Sequence, residues 1–98
     1  MMILPKPIAF EWDVGNAGKN WIKHNVADQE CEELFFDSNR KIFEDVRHSE
    51  KECRFLVFGK TKQGRLLLVA CTMRRNRVRV ISARDLNNKE KAIYEKAS

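Results

Sequence analysis

The chain has 98 residues, 43% of them hydrophobic and 34% charged, so it fits one globular domain over 1–98 and is too short for a second. No apolar run approaches the roughly 20 residues of a membrane-spanning helix, and the N-terminal segment is too short and too interrupted by proline for a signal peptide. We therefore expect a cytoplasmic protein without membrane contact.

The cysteines and histidines do not have the spacing of a metal site. Cys31, Cys53 and Cys71 form an odd set without a CxxC pair, which predicts neither a disulfide framework nor a zinc knuckle. His24 and His48 add no pair at the spacing of structural zinc ligands. We expect reduced, mostly buried thiols, no metal and no cofactor.

The net charge of +5 is concentrated in one segment. Residues 74–84 read RRNRVRVISAR, with five arginines and no acid, so the rest of the chain sums to zero. Residues 28–52 carry nine acids against four bases, whereas residues 54–98 carry twelve bases against three acids. This asymmetry favours one face for an anionic partner such as nucleic acid, and the alternative is a solvated basic strand.

The N-terminal half predicts a strand and two helices. Apolar residues alternate over 8–12, which indicates a short strand. A first helix is expected over 14–24, capped by Asp13, because Ala17, Trp21 and His24 recur at helical spacing. A second helix begins at Asp28. Its acidic residues, which form either a solvated face or a contact with a basic segment of a partner, are Glu30, Glu32 and Glu33.

The C-terminal half predicts a strand meander and a final helix. Strands are expected over 41–45, 54–60 and 65–73, with a polar loop over 46–51 and a hairpin turn at 61–64. The basic run supplies the last strand, and Asn87 with Glu90 forms a capping box for a helix containing Tyr94. The fold class is α+β, an antiparallel sheet with two N-terminal helices and one C-terminal helix packed on it.

Seven short motifs along nearly the whole chain resemble the BrnT toxins, and RVISAR with the helix after it is the most specific. They are EWD at 11–13, N-x-x-K-H at 20–24, HSEKECRF at 48–55, Gly59, GR at 64–65, RVISAR at 79–84 and KEKAIYE at 89–95. The resemblance implies a RelE-like fold and a ribonuclease toxin of a type II toxin–antitoxin pair. It also implies a hetero-oligomer with a BrnA-like antitoxin, through which alone operator DNA is bound.

The sequence departs from the family pattern at three positions. Asn25 stands in place of the glycine of KHG, Met73 in place of a common acidic residue, and Arg75 in place of a turn glycine. These departures bear on activity more than on fold. They leave open an alternative, a catalytically weak member that binds RNA or antitoxin within a repressor complex. A DNA-binding protein is a weaker reading, because no helix-turn-helix pattern is present.

RNA cleavage without a metal requires a proton acceptor, a proton donor and cations around the phosphate. Arginines suit the phosphate through their planar fork. We expect Arg54, Arg65 and Arg79, one from each meander strand, to bind phosphate together with Arg84. Arg77 lies near the turn, where it can hold RNA.

Four further residues are candidates for proton transfer or binding. His24 has a suitable intrinsic pKa, although a histidine at a helix end more often caps or packs. Glu52 can serve as a base beside Arg54, or form a surface ion pair. Lys23 can bind phosphate or remain a solvated lysine. Tyr94 can stack on a base or donate a proton, and packing against the sheet is its alternative.

Overall fold

Four antiparallel strands form one sheet in chain order, β1-β2-β3-β4, within the residues that the computed structural model describes, 8–46 and 52–96. The strands are β1 Lys41–Glu44, β2 Arg54–Lys60, β3 Leu66–Arg74 and β4 Arg77–Asp85. The helices are α1 Lys19–His24, α2 Asp28–Glu33, a 3₁₀ turn at Leu34–Phe36, and α3 Asn88–Glu95. The predicted α+β class with an antiparallel meander is confirmed.

The main core lies between one face of the sheet and the α2 region. Alternate strand residues such as Val57 and Val69 point to this face, and Leu34 and Phe35 meet them from the 3₁₀ turn. A Cβ on Gly59 would lie 2.8 Å from Cγ of Leu34, so the absence of a side chain lets the turn approach β2. Full burial of each such leucine or phenylalanine contributes roughly 1.5–3 kcal/mol.

The opposite face of the sheet carries α3 at one end. Phe58, Leu68, Leu86 and Tyr94 form a second buried cluster there. The predicted capping box is confirmed: Asn87 Oδ1 accepts from the Glu90 N–H at 2.8 Å, and Glu90 Oε1 accepts from the Asn87 N–H at 2.9 Å. Within 8–46 and 52–96, no helix covers the end of this face away from α3.

The segment predicted as a first strand forms only an isolated bridge. Phe10 bridges Val78 of β4 in parallel, through hydrogen bonds from the Val78 N–H to the Ala9 carbonyl and from the Glu11 N–H to the Val78 carbonyl. Farther along this edge of β4, the Asn16 side chain donates to the Val80 carbonyl at 3.0 Å. Because the Asn16 side chain, and not the backbone of the segment, binds the Val80 carbonyl, the backbone pairing with β4 does not continue there as a strand.

The first helix is shorter than predicted, and the three residues at helical spacing, Ala17, Trp21 and His24, are exposed. It spans only Lys19–His24, and Asp13 does not cap it but accepts from the Gly15 N–H at 2.8 Å in a turn. Trp21 is 56% exposed, whereas Asn20 is 3% exposed and accepts from the Ala83 N–H at 3.0 Å. A buried polar contact to the sheet edge, rather than an apolar face, therefore docks α1.

The acidic residues of α2 make internal contacts instead of a fully solvated face. Each of three carboxylates binds a different neighbour. Glu30 accepts from the Ala27 N–H at 2.9 Å, Glu32 from Trp12 Nε1 at 2.6 Å, and Glu33 from the Lys62 N–H at 3.0 Å. The second helix lies where the sequence predicts it, but Asp28 is its first residue and not its cap: Ala27 is the N-cap, and the Asp28 carboxylate accepts from the Gly18 N–H.

Some sequence predictions fall outside the described residues. His48 and positions 47–51 of the predicted polar loop lie there. No helix in the described ranges is long and apolar enough to cross a membrane. Cys31 and Cys71 are buried free thiols, and burial raises the pKa of each to about 12, while Cys53 is exposed.

Candidate functional site

Three strands bring cationic side chains together on the α3-bearing face of the sheet, at the end away from α3. Arg54, Thr72 and Arg79 lie opposite one another in the register of β2, β3 and β4, so their side chains share a face. Two strand spacings separate Arg54 from Arg79, about 10 Å between Cα atoms. Arg74 and Arg77, each two residues from this row, project to the same side. We call this group of four arginines the arginine face.

Arg79 is held by two carboxylates of the N-terminal segment. Its Nη1 donates to Glu11 Oε1 at 2.8 Å and to Asp13 Oδ2 at 2.9 Å, and its Nη2 donates to Asp13 Oδ1 at 3.0 Å. The Arg79 side chain is only 14% exposed. Bidentate geometry at a partly buried site fixes the plane of the guanidinium, which is the condition for preorganised charge stabilisation.

A second ion pair extends this network to the start of β2. Arg74 donates from Nε to Glu52 Oε2 at 2.9 Å and from Nη2 to Glu52 Oε1 at 2.8 Å. Arg74 Nη1 also lies 4.0 Å from Glu11 Oε1, which links the Glu52 pair to the Arg79 cluster. Glu52 therefore forms an ion pair, which is the alternative that the sequence left open, but its hydrogen-bond partner is Arg74 and not Arg54.

Hydrogen bonds from arginines lower the pKa of two acids of this network, Asp13 and Glu52. The hydrogen bond from Arg79, followed by that from the Gly15 N–H, lowers the pKa of Asp13. The hydrogen bonds from Arg74 lower the pKa of Glu52, and the charges of Arg54 and Arg79 act in the same direction. At neutral pH the pairs of Asp13 with Arg79 and of Glu52 with Arg74 are therefore charged on both sides.

Arg77 supplies charge to the arginine face without a carboxylate of its own. It is exposed and forms no ion pair with any residue in 8–46 or 52–96. An unpaired, exposed arginine beside a paired cluster can bind a backbone phosphate with little reorganisation.

Lys23, His24 and Arg65 lie at the other end of the sheet. Arg65 binds Asp85 through Nε at 2.8 Å and contacts the His24 and Asn25 carbonyls at 3.3 and 2.7 Å. It also donates to Glu30 Oε1 at 3.2 Å. All five of its N–H groups have an acceptor. Arg65 therefore caps the C-terminal end of α1 by donating to its carbonyls.

The sequence candidates therefore do not form one site. Asp85, the hydrogen-bond partner of Arg65, lies six residues from Arg79 along β4. At the spacing of residues in a strand, this puts the two Cα atoms about 20 Å apart. The structure brings Glu52, Arg54, Arg77 and Arg79 together and places Lys23, His24 and Arg65 elsewhere.

Arg84 and Tyr94 attach α3 to the fold. Arg84 donates from Nη1 and Nη2 to Glu90 at 2.8 and 2.9 Å. The Tyr94 hydroxyl donates to Asp37 Oδ2 at 2.6 Å, and burial followed by this contact raises the pKa of Tyr94 to about 12. Tyr94 packs against the sheet, which corresponds to the alternative that the sequence left open for it.

Sequence reasoning missed the residues that organise the arginine face. Glu11, Asp13 and Arg74 were not among the candidates, although Glu11 and Asp13 belong to the EWD motif. Two acids at alternate positions of an extended segment share one side, and this spacing is the signal that could have identified them. Their partner Arg79 lies 66 to 68 residues away.

The three departures from the family pattern have local structural explanations. Asn25 has φ 58° at the end of α1, and Arg75 has φ 51° in the β3–β4 turn, so both positions require the left-handed conformation in which glycine is unstrained. Met73 pairs with Val78 and packs against the main core, on the face opposite Arg79. None of the three substitutions removes a side chain from the arginine face.

The fold and the site define a small α+β protein. One face of its sheet carries arginines that carboxylates hold in place, and such a surface is suited to a phosphate backbone. The chain belongs to the BrnT family: residues 12–90 match the model of the ribonuclease toxin BrnT of type II toxin–antitoxin systems. This membership implies an RNA substrate and a protein antitoxin. No curated protein matches the chain.

Proposed function

We propose that the chain, acting as a single toxin domain over 1–98 in the cytoplasm, is a metal-independent endoribonuclease that arrests growth. The observation that supports this most directly is the arginine face, with Glu52 as a proton acceptor at its edge. Family membership supports the substrate class. The proximity of the arginine face to Glu52, the proposed base, supports the reaction type.

The proposed reaction is attack of a ribose 2′-oxygen on the adjacent phosphorus. The new O–P bond forms as the bond to the 5′-oxygen breaks, which leaves a 2′,3′-cyclic phosphate and a 5′-hydroxyl. The 2′-hydroxyl proton goes to the base, and the 5′-oxygen takes a proton from solvent. The reaction consumes no water at this step and requires stabilisation of charge on the phosphate oxygens.

Glu52 is the proposed base of this reaction. Its lowered pKa keeps it ionised at neutral pH. Each of its oxygens accepts one hydrogen bond from Arg74, which leaves a further lone pair for the 2′-hydroxyl proton. Arg74 orients Glu52, and this hydrogen bonding fixes the direction in which the proton is accepted.

Arg79 and Arg54 are the proposed sources of charge stabilisation. They share a face about 10 Å apart, so a phosphate between their long side chains can reach both guanidinium groups. Removing one preorganised donor of this kind typically lowers the rate on the order of a hundred- to a thousandfold. Arg77 at the rim then binds a neighbouring phosphate.

Five residues that the sequence offered as candidates have supporting roles in this proposal: Lys23, His24, Arg65, Arg84 and Tyr94. Lys23 is exposed at the far end of the sheet and is available to the RNA backbone away from the bond that is cleaved. Arg65, Arg84 and Tyr94 hold α1 and α3 in place. Catalysis then depends on the arginine face and Glu52.

Incubation of the purified chain with RNA in EDTA tests the proposal. We expect fragments that end in 2′,3′-cyclic phosphate, absent with Arg79→Ala and present with Lys89→Ala, which removes one exposed cation from α3. Intact RNA from a folded preparation would contradict the nuclease assignment. Cleavage that requires a divalent metal would contradict the metal-free mechanism.

The proposed partner is a BrnA-like antitoxin, which forms a hetero-oligomer with the toxin and alone contacts operator DNA. Expression of the chain should stop growth, and co-expression of the adjacent reading frame should restore it and yield a complex that co-purifies. Growth arrest that no neighbouring product relieves would contradict the partner assignment.

A further inference from the structure

Arg79 differs from Arg65 in how many of its N–H groups remain available. A guanidinium carries five N–H donors. Arg65 uses all five on Asp85, Glu30 and the carbonyls of His24 and Asn25. Arg79 uses three, one to Glu11 and two to Asp13.

The two unused donors of Arg79 lie on one edge. Asp13 takes the end of the guanidinium, with one oxygen on each terminal nitrogen, and Glu11 takes the second hydrogen of Nη1. The remaining hydrogens are those of Nε and of Nη2, and they point the same way because Nη2 is the terminal nitrogen on the Nε–H side. Within 8–46 and 52–96 nothing accepts from them. Two parallel N–H groups match two oxygens of a phosphate.

Gly15 provides the space for this arrangement. A Cβ at position 15 would lie 2.7 Å from Arg79 Nη2 and 3.0 Å from Asp13 Oδ1. The Gly15 N–H also donates to Asp13 Oδ1 at 2.8 Å, which turns that carboxylate toward Arg79. A side chain at position 15 would therefore displace the guanidinium, because contacts under 3 Å force one group to move.

We propose that Glu11 and Asp13 are positioning residues that direct the Nε–Nη2 edge of Arg79 at the phosphate to be cleaved, and that Gly15 keeps the space this geometry needs. The inference rests on the proposed ribonuclease function and assigns to the EWD motif and the glycine after it a role in orienting the substrate phosphate. Glu11 and Asp13 do not touch the substrate. They hold the arginine that does.

Steady-state cleavage by variants tests the positioning role. Asp13→Asn and Gly15→Ala should each lower kcat, on the order of a hundredfold for a displacement of about 1 Å, with KM changed far less. Glu44→Gln, an exposed acid on β1, is the matched control and should leave both constants unchanged. Unchanged kcat in both test variants, while the wild type cleaves RNA, would overturn the positioning role and leave the nuclease function standing.

A binding measurement separates this inference from the nuclease assignment. A 2′-O-methyl oligoribonucleotide lacks the attacking hydroxyl and cannot be cleaved by this route. In ¹⁵N-resolved NMR spectra its addition should shift the Arg79 Nε–H resonance of the wild type, and Gly15→Ala should reduce that shift. A shift in a chain that does not cleave RNA would contradict only the nuclease function, and no shift in an active enzyme would overturn the proposed phosphate contact.

Discussion

Arg65 and Asp85 form a bidentate ion pair between the ends of β3 and β4, with Nε to Oδ1 at 2.8 Å and Nη2 to Oδ2 at 3.2 Å. The same guanidinium reaches the carbonyls at the end of α1 and the carboxylate of Glu30 in α2. One side chain therefore connects two strands and two helices. Its hydrogen bonds lower the pKa of Asp85, so the pair is charged at neutral pH.

Replacement of Arg65 by lysine should destabilise the fold and spare catalysis. Lysine keeps the charge but cannot reproduce the planar set of five donors, so helix-end carbonyls lose their partner. We expect the free energy of unfolding to fall by about 1–3 kcal/mol, as measured by urea denaturation. Cleavage per folded molecule should stay within about threefold of the wild type. A fully stable variant without activity would instead place Arg65 in the active site.

Replacement of Lys23 and His24 together should leave cleavage largely intact. Both residues lie at the end of α1 beside Arg65, about 20 Å along the sheet from Arg79. Lys23→Ala/His24→Ala should therefore weaken RNA binding modestly, with kcat and the shape of the pH–rate profile unchanged. Glu52→Gln should abolish the acid limb of the pH–rate profile and most of kcat. If instead Lys23→Ala/His24→Ala lost the acid limb and most of kcat while Glu52→Gln kept both, the base would be His24 and not Glu52.

The elements that could be predicted from the sequence are those whose signal is local. β2 matches the predicted range 54–60, and the capping box of α3 involves Asn87 and Glu90, only three residues apart. Alternation and capping are read from neighbours in the chain, which is why they could be predicted. The predicted first helix extended too far because Gly15 and Gly18 occupy turn positions before Lys19.

Of the site, only the arginines could be predicted from the sequence, and the carboxylates that hold them could not. The arginines of the basic run stand out by composition. The pairing of Arg79 with Glu11 and Asp13 instead joins residues 66 to 68 positions apart, on a segment attached to β4 by the bridge between Phe10 and Val78 and by Asn16. Asn16 and Asn20 show no periodic signal, since each acts through one hydrogen bond to the edge of β4. Such contacts depend on tertiary geometry, and sequence patterning does not encode them locally.

The β3–β4 turn should be stabilised by asparagine at position 75. Arg75 and Asn76 have φ 51° and 65°, the conformation of a type I′ hairpin turn, which asparagine and glycine adopt with less strain than arginine. Arg75→Asn should raise the free energy of unfolding by about 0.5–1 kcal/mol, measured by urea denaturation. Arg75→Val is the contrasting variant and should be destabilising. Equal stability of all three proteins would show that the turn relaxes to another type.

Tyr94 should titrate well above an ordinary tyrosine, because burial and the hydrogen bond to Asp37 raise its pKa to about 12. It is the only tyrosine in the chain, so the absorbance of the phenolate reports on it alone. The fold favours the neutral phenol, and the stability that this preference contributes is complete below pH 10 and is lost as pH rises from about 10 through about 12. Asp37→Asn removes the neighbouring negative charge and should lower the pKa of Tyr94, although burial keeps it above the ordinary value. A titration midpoint near 10 in the folded wild type would show that α3 does not hold Tyr94 against Asp37.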